Sequence, residues 1–375
     1  MGFGYSKTQF SWKEAFRGMG GLIFIVVLLL LLIGLLFIFS ASPKKGAGNY
    51  VNRQLIWVGI SLVAFFITVR LDYLAITKYS YWIYFVGIFF LLATTFLGTY
   101  RGGAKRWLQL GPALLQTSEI MKIAIIFILA RILSEENKKN GGIRELLYPV
   151  FITAIPMGLI VIQPDLGTSL VFIPIAFSMI FASGIRFKAL ILVFIIMVNL
   201  AVVVYFYGLH EYQRKRVLTF MNQDSLSQED KRGSGYHLEQ SKIAIGSGHL
   251  TGKGWRKGTQ NIHGLLPERH TDFIFAIVGE EAGFLGVCFV LLLYLILFCS
   301  MLVTAYTTIA VPGQLIIIGV MALLLTQTIV NTAMTVGMAP ITGLPLPFFS
   351  YGGSSLLFNF ISVGMVVSVA GRKIV

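Results

Sequence analysis

The chain has 375 residues, of which 56% are hydrophobic and only 12% charged. A soluble domain carries about a quarter charged residues, so this composition excludes a soluble globular enzyme and a disordered chain alike. The formal net charge of +14 is spread over the loops between apolar runs; that pattern argues against nucleic acid and for membrane lipids or a phosphorylated lipid substrate.

A bilayer helix needs about 20 apolar residues. The apolar runs predict about ten transmembrane helices, near 21–41, 54–70, 79–98, 117–133, 147–162, 166–183, 188–208, 282–306, 311–337 and 353–371. An open sheet edge is not satisfied in lipid, so the fold class is an all-α polytopic membrane protein, read as a single membrane domain over 1–375. The first run has no small-residue cleavage signature and is expected to stay as a helix. Cys288 and Cys299 are eleven residues apart on one predicted helix, roughly 16 Å, which excludes a disulfide between them and suits two packed apolar thiols.

With the N-terminus inside, the cytoplasmic segments carry thirteen Lys and Arg residues against six in the short outer loops. The excess predicts both termini in the cytoplasm. A large extracytoplasmic loop then runs from about 209 to 271, between helices 7 and 8. Its stretch Asn222 to Gly235 is polar and expected to be mobile. Tyr236 to Gln260 reads as an interfacial helix followed by a glycine-rich turn.

The unusual ionisable groups gather on that outer face. "LLPERHTDFIFAIVGEEAGFLG" sets Glu268, Arg269, His270, Asp272, Glu280 and Glu281 at the mouth of a span. Carboxylates near hydrocarbon lose hydration, at about 2.5–3.5 kcal/mol for an Asp at a helix centre. Either this is interfacial loop, with Asp272 capping a helix or pairing with Arg269, or it holds a reactive carboxylate. Glu119 and Lys122, three apart on a predicted span, share a helix face. They form a mutually neutralising pair or present a cation to a substrate phosphate. Asp165, ahead of Leu166-Gly167-Thr168, suits a helix N-cap. Trp107, beside Lys105 and Arg106, suits an interfacial anchor. "GSGHLTGKG" fails the phosphate-loop spacing, and the five histidines show no zinc-ligand spacing.

"GYHLEQSKIAIGSG", "GKGWRKGTQ", "LPERHTDFIFA" and "PLPFFSYGGSS" resemble the SEDS (shape, elongation, division, sporulation) family, its rod-elongation branch more than its division branch. The resemblance covers the whole chain. It implies a glycosyltransferase of the bacterial inner membrane, working on the outer face, that polymerises lipid II into peptidoglycan strands. By that resemblance Asp272 is the catalytic base, and Glu119 and Lys122 are the family's acidic and basic pair. Arg106 and Trp107 match its Arg-Trp, and Asp165 matches the aspartate of its Gln-Pro-Asp motif. Thr117 stands where the family more often has Pro, and His249 where Gly is usual. The substrates implied are lipid II and an undecaprenyl-pyrophosphate-linked glycan, and the partner implied is a class B penicillin-binding protein transpeptidase.

An α-linked pyrophosphate donor and a β-1,4 product require one in-line displacement with inversion, so one base is enough. Pyrophosphate leaves without a proton, so cations replace the second carboxylic acid of a glycosidase pair. Arg53, Lys105, Arg106 and Lys122 are the expected phosphate clamp. No cofactor is called for, although a divalent cation at the pyrophosphate is left open. A lipid II flippase or transporter is the alternative, and it would need a polar path to the cytoplasmic leaflet.

Overall fold

The computed structural model describes residues 8–42, 47–101, 104–110, 113–134, 143–184, 191, 211–221 and 234–374. Backbone groups in lipid have to be satisfied within their own segment, and every expected span among those residues is helical. A short α1 (Trp12–Phe16) precedes α2 (Met19–Ala41), α3 (Ala47–Arg70), α4 (Tyr73–Lys78) and α5 (Ser80–Leu97). Then come α6 (Thr117–Ser134), α7 (Ile143–Ile162) and α8 (Leu166–Ala182). Beyond the span expected at 188–208, which apart from Ile191 lies outside the described residues, follow α9 (Glu211–Met221), α10 (Ser234–Ser247) and α11 (Thr259–Ile262). The C-terminal part is α12 (Ile274–Thr307), α13 (Val311–Thr335) and α14 (Gly353–Ala370).

Six of these helices, α2, α3, α5, α12, α13 and α14, are long and apolar enough to cross a membrane. α7 and α8 contribute shorter apolar stretches, and α6 carries three charges, Glu119, Lys122 and Arg131. α6 is nevertheless the most enclosed element: every residue from Met121 to Ala130 is buried, packed among α5, α7, α8 and α13. Its charges are admitted because protein, not lipid, surrounds them. Cys288 and Cys299 are free and exposed on α12 rather than packed.

The two ends of the chain meet. β1 (Thr8–Phe10) pairs antiparallel with β5 (Arg372–Ile374). Arg372 lies 5.0 Å above the Phe10 ring and donates to the carbonyl of Arg70 at 2.7 Å. The all-α expectation needs one correction here and another at the opposite end. There β2 (Thr99–Arg101), β3 (Ala104–Leu110) and β4 (Ala113–Gln116) form a three-stranded antiparallel sheet. The rule against sheet edges applies within lipid; in the loop after α5 water satisfies the edges and β pairing is permitted.

α12 is broken at Gly283, which takes φ 66°, a left-handed value glycine reaches readily. The break frees backbone groups, and residues 249–254 take them up. Phe284 and Leu285 donate to the carbonyls of His249 and Leu250, and Lys253 and Gly254 donate to those of Glu280 and Glu281. α10, which covers much of the expected interfacial segment, packs against α12 and α13. The two glutamates at the break are buried and held. Glu281 accepts from Ser40 and Asn261, and Glu280 from Lys253, Thr259 and the Gln260 amide.

Candidate active site

Asp272 sits in the turn immediately before α12, with Phe273 at the helix N-cap. Arg269, its sequence-level candidate partner, points elsewhere: it donates to the carbonyls of Ala41 and Asn261, both at 2.6 Å. The Asp272 carboxylate instead faces the 340–344 segment, where a Cβ added to Gly343 would lie 3.4 Å from Oδ2. Burial, reinforced by the negative charge of Glu268, pushes its carboxyl up to about 6, against the opposing pull of Arg216, Arg106 and a Thr271 hydrogen bond. Asp272 still keeps a partly exposed edge. A carboxylate titrating near neutrality and open to a substrate suits a general base. Burial lowers the His237 and His270 imidazoles from their ordinary value, against the opposing charge of Glu268.

Arg106 and Arg216, whose charges act on Asp272, line an open pocket together with Pro164, Asp165, Leu166, Gly167, Leu170, Pro340, Ile341 and Thr342. Each wall comes from a different part of the chain. Arg106 lies on β3, where side chains alternate between faces, so Arg106 reaches the pocket while Lys105 and Trp107 fall on the other face of the strand. Arg106 donates to the Pro164 carbonyl at 2.6 Å and stands 3.6 Å from Asp165. Asp165 caps α8 through the Thr168 amide at 3.3 Å and accepts from Gln116 at 3.2 Å. Arg216, on α9, donates to the Ile341 carbonyl at 3.2 Å. Its approach to Asp272 could not be read in the sequence, where it was only one of many basic residues in a long loop. The one local sign was its place in "QRKR".

Of the four cations expected to clamp phosphate, Arg106 alone lines this pocket. Arg53 is exposed on α3, and Lys105 is exposed on β3. Lys122 is buried in α6 and donates to Glu119 at 2.8 Å, an i,i+3 pair enclosed by the bundle. Trp107 stands opposite Gln116 in the β3–β4 ladder. Among the described residues no three His, Cys, Asp or Glu side chains are grouped to hold a metal ion.

Comparison with known proteins places this chain in a family. The profile of the FtsW/RodA/SpoVE family, described as cell cycle protein, matches residues 21–373. Peptidoglycan glycosyltransferase MrdB of Escherichia coli K12 is 35% identical over 92% of this chain and 91% of its own length. Peptidoglycan glycosyltransferase RodA of Treponema pallidum is 31% identical over 94% and 98%. Among solved structures, one concerning the coordination of polymerization and crosslinking by a peptidoglycan synthase complex aligns with TM-score 0.79 and 27% identity, covering 96% of this chain and 97% of that one. The rod shape determining protein RodA of Thermus thermophilus aligns with TM-score 0.69 and 26% identity, covering 96% of each. The chain belongs to the FtsW/RodA/SpoVE family.

Proposed function

We propose that this chain is a peptidoglycan glycosyltransferase that polymerises lipid II into β-1,4 glycan strands during cell elongation, with inversion and with Asp272 as general base. The observation that carries this reading is one partly exposed carboxylate, Asp272, raised to about 6 and acted on by two guanidinium groups, Arg106 and Arg216, that line an open pocket. The acceptor's 4-hydroxyl oxygen attacks the donor's anomeric carbon while Asp272 takes the hydroxyl proton. The bond from that carbon to the phosphate oxygen breaks, and undecaprenyl pyrophosphate departs as an anion toward the guanidiniums. General-base help of this kind is worth about 10²–10⁴ in rate. Arg106 and Arg216 replace the four-cation clamp read from sequence, since planar guanidiniums suit bidentate phosphate binding. Glu119 and Lys122 act as a buried neutralising pair, and Asp165 as the anchor of Arg106.

The proposed topology has ten spans, both termini in the cytoplasm and the pocket outside. Its support is the β1–β5 pairing, which joins the two ends as an even number of crossings would. Arg70, Lys78, Arg131 and Arg372 gather at that same end, as a cytoplasmic face would have them. A class B penicillin-binding protein is the proposed partner, supported by the likeness to a chain of a peptidoglycan synthase complex.

A lipid II flippase needs a polar path through the bundle. Below Lys122, α6 presents Ile123 to Ala130, all buried and apolar, and this favours chemistry on the outer face. The deciding experiment supplies purified lipid II to the chain with and without the transpeptidase and resolves glycan strands on a gel. Strands are expected. Their absence in both samples, with lipid II moving across vesicle membranes, would transfer the assignment to the flippase.

A further inference from the structure

The turn carrying Asp272 is held by three successive carbonyl bonds. The His270 carbonyl accepts from the Tyr351 amide at 2.9 Å, that of Thr271 from Ser350 Oγ at 2.7 Å, and that of Asp272 from Asn331 Nδ2 at 2.9 Å. The third bond differs from the others, because the same Asn331 nitrogen also donates to the Leu344 carbonyl at 2.8 Å. A primary amide has two N–H groups, and here both are committed to main-chain carbonyls on two separate segments. One is the residue bearing the carboxylate. The other adjoins Gly343, where an added Cβ would lie 3.4 Å from Asp272 Oδ2, and the 340–342 wall of the pocket. Asn331 itself is fully buried on α13, and its own Oδ1 has no hydrogen-bond partner among the described residues. These two bonds orient the side chain.

We infer that Asn331 is a positioning residue for the transfer reaction: it ties the backbone of Asp272 to the Leu344 segment and thereby sets the distance between carboxylate and pocket wall. The inference rests on Asp272 being the base. Substrate affinity comes from the guanidiniums, which Asn331 does not touch. Loss of the clamp moves the base without dismantling the binding site, and displacement of a reacting group by about 1 Å can lower the rate about 10²-fold.

The test uses the full chain in lipid nanodiscs, assayed for initial rates of glycan synthesis against lipid II, with Asn331→Ala, Asn331→Ser, Asp272→Asn and Ser241→Ala compared. Ser241→Ala is the structural control, since it removes one buried hydrogen bond, to the Thr335 carbonyl, at the end of the same helix. Asn331→Ala is expected to lower kcat about tenfold to a hundredfold with the lipid II KM within about threefold of wild type. Asn331→Ser keeps one donor and should recover part of that loss. The acid limb of the rate profile should move below about 6, because a loosened carboxylate regains water. Ser241→Ala should keep wild-type kcat. Wild-type kcat in both Asn331 variants, with Asp272→Asn inactive, overturns the positioning role and leaves the base assignment standing. So does a loss of kcat and binding together with an unmoved acid limb, or the failure of both Asn331 variants to fold, since either result is a structural role only. An active Asp272→Asn removes the base assignment and this inference with it.

Discussion

Arg106 Nη1 stands 3.6 Å from Asp165 Oδ1, while its Nη2 donates to the neighbouring Pro164 carbonyl at 2.6 Å. A strand from the loop after α5 is thus fastened to the N-terminus of α8, with a cation held at the pocket's edge. The two contacts together need a planar fork, which an ammonium does not supply. Arg106→Lys is therefore expected to behave like Arg106→Met, each raising the lipid II KM by about tenfold to a hundredfold, the loss of one charge-assisted contact of about 1.5–3 kcal/mol. Steady-state glycan synthesis checks this, and full activity in Arg106→Lys would show that charge alone suffices.

Asp272→Asn keeps the side chain's shape and removes its ability to take a proton. Strand synthesis should fall at least about 10²-fold while the melting temperature does not drop. A strand-length gel run beside a thermal melt gives both readings. Near-wild-type synthesis from the folded variant would end the base assignment.

The raised Asp272 carboxyl gives the rate an acid limb. Activity should be low below about 6, where the carboxylate is protonated, and level off above it. The same shift acts on stability. The folded state binds this proton more tightly than the unfolded chain does, so Asp272 lowers stability as pH rises from about 4 through about 6, and the full penalty persists above. Asp272→Asn should accordingly melt higher than wild type at pH 8, and the difference should vanish near pH 4. Equal melting temperatures at both pH values would contradict a destabilising buried carboxylate.

At Gly283 a side chain is strained by the positive φ and would also press on the Gly252 amide and the Leu250 carbonyl. Gly283→Ala is expected to destabilise by at least about 2 kcal/mol, combining a left-handed penalty of about 1–2 kcal/mol with the clash. A lowered melting temperature, accompanied by new proteolytic cleavage in 248–258, is the expected result. An unchanged melt would mean that the loop is not seated on the broken helix.

Hydrogen exchange separates the seated part of the segment before α12 from any part a partner orders. The amides of Gly252, Lys253, Gly254, Phe284 and Leu285 are all paired, so they should be protected in the isolated chain. A transpeptidase acting through the outer loop should add protection within 222–251, whose first twelve residues lie outside the described residues. Rapid exchange at Gly252 to Gly254 without partner would refute the seating; unchanged protection in 222–251 alongside a rise in activity would route activation elsewhere.

The sequence by itself determined what depends on local spacing. Apolar length marked the helices, and the i,i+3 spacing of Glu119 and Lys122 predicted their contact, because helix geometry brings such residues together whatever surrounds them. The cap at Asp165 was legible for the same reason, and the family motifs singled out Asp272. Which cations meet Asp272 was not legible. Arg106 lies 166 residues before it and Arg216 56 residues before it in the chain, and only the crossing of β3, α8, α9 and the 340–344 segment brings them to one pocket. Strand alternation turned Lys105 away from its neighbour's face, and burial in α6 tied Lys122 to Glu119. The glutamates at 280 and 281, conspicuous as charges at a span's mouth, are held by Lys253, Ser40 and Asn261 across a helix break. Tertiary structure decided these matters because a buried ionisable group is stabilised by whichever partners the packed chain delivers, and sequence spacing does not constrain partners so far apart.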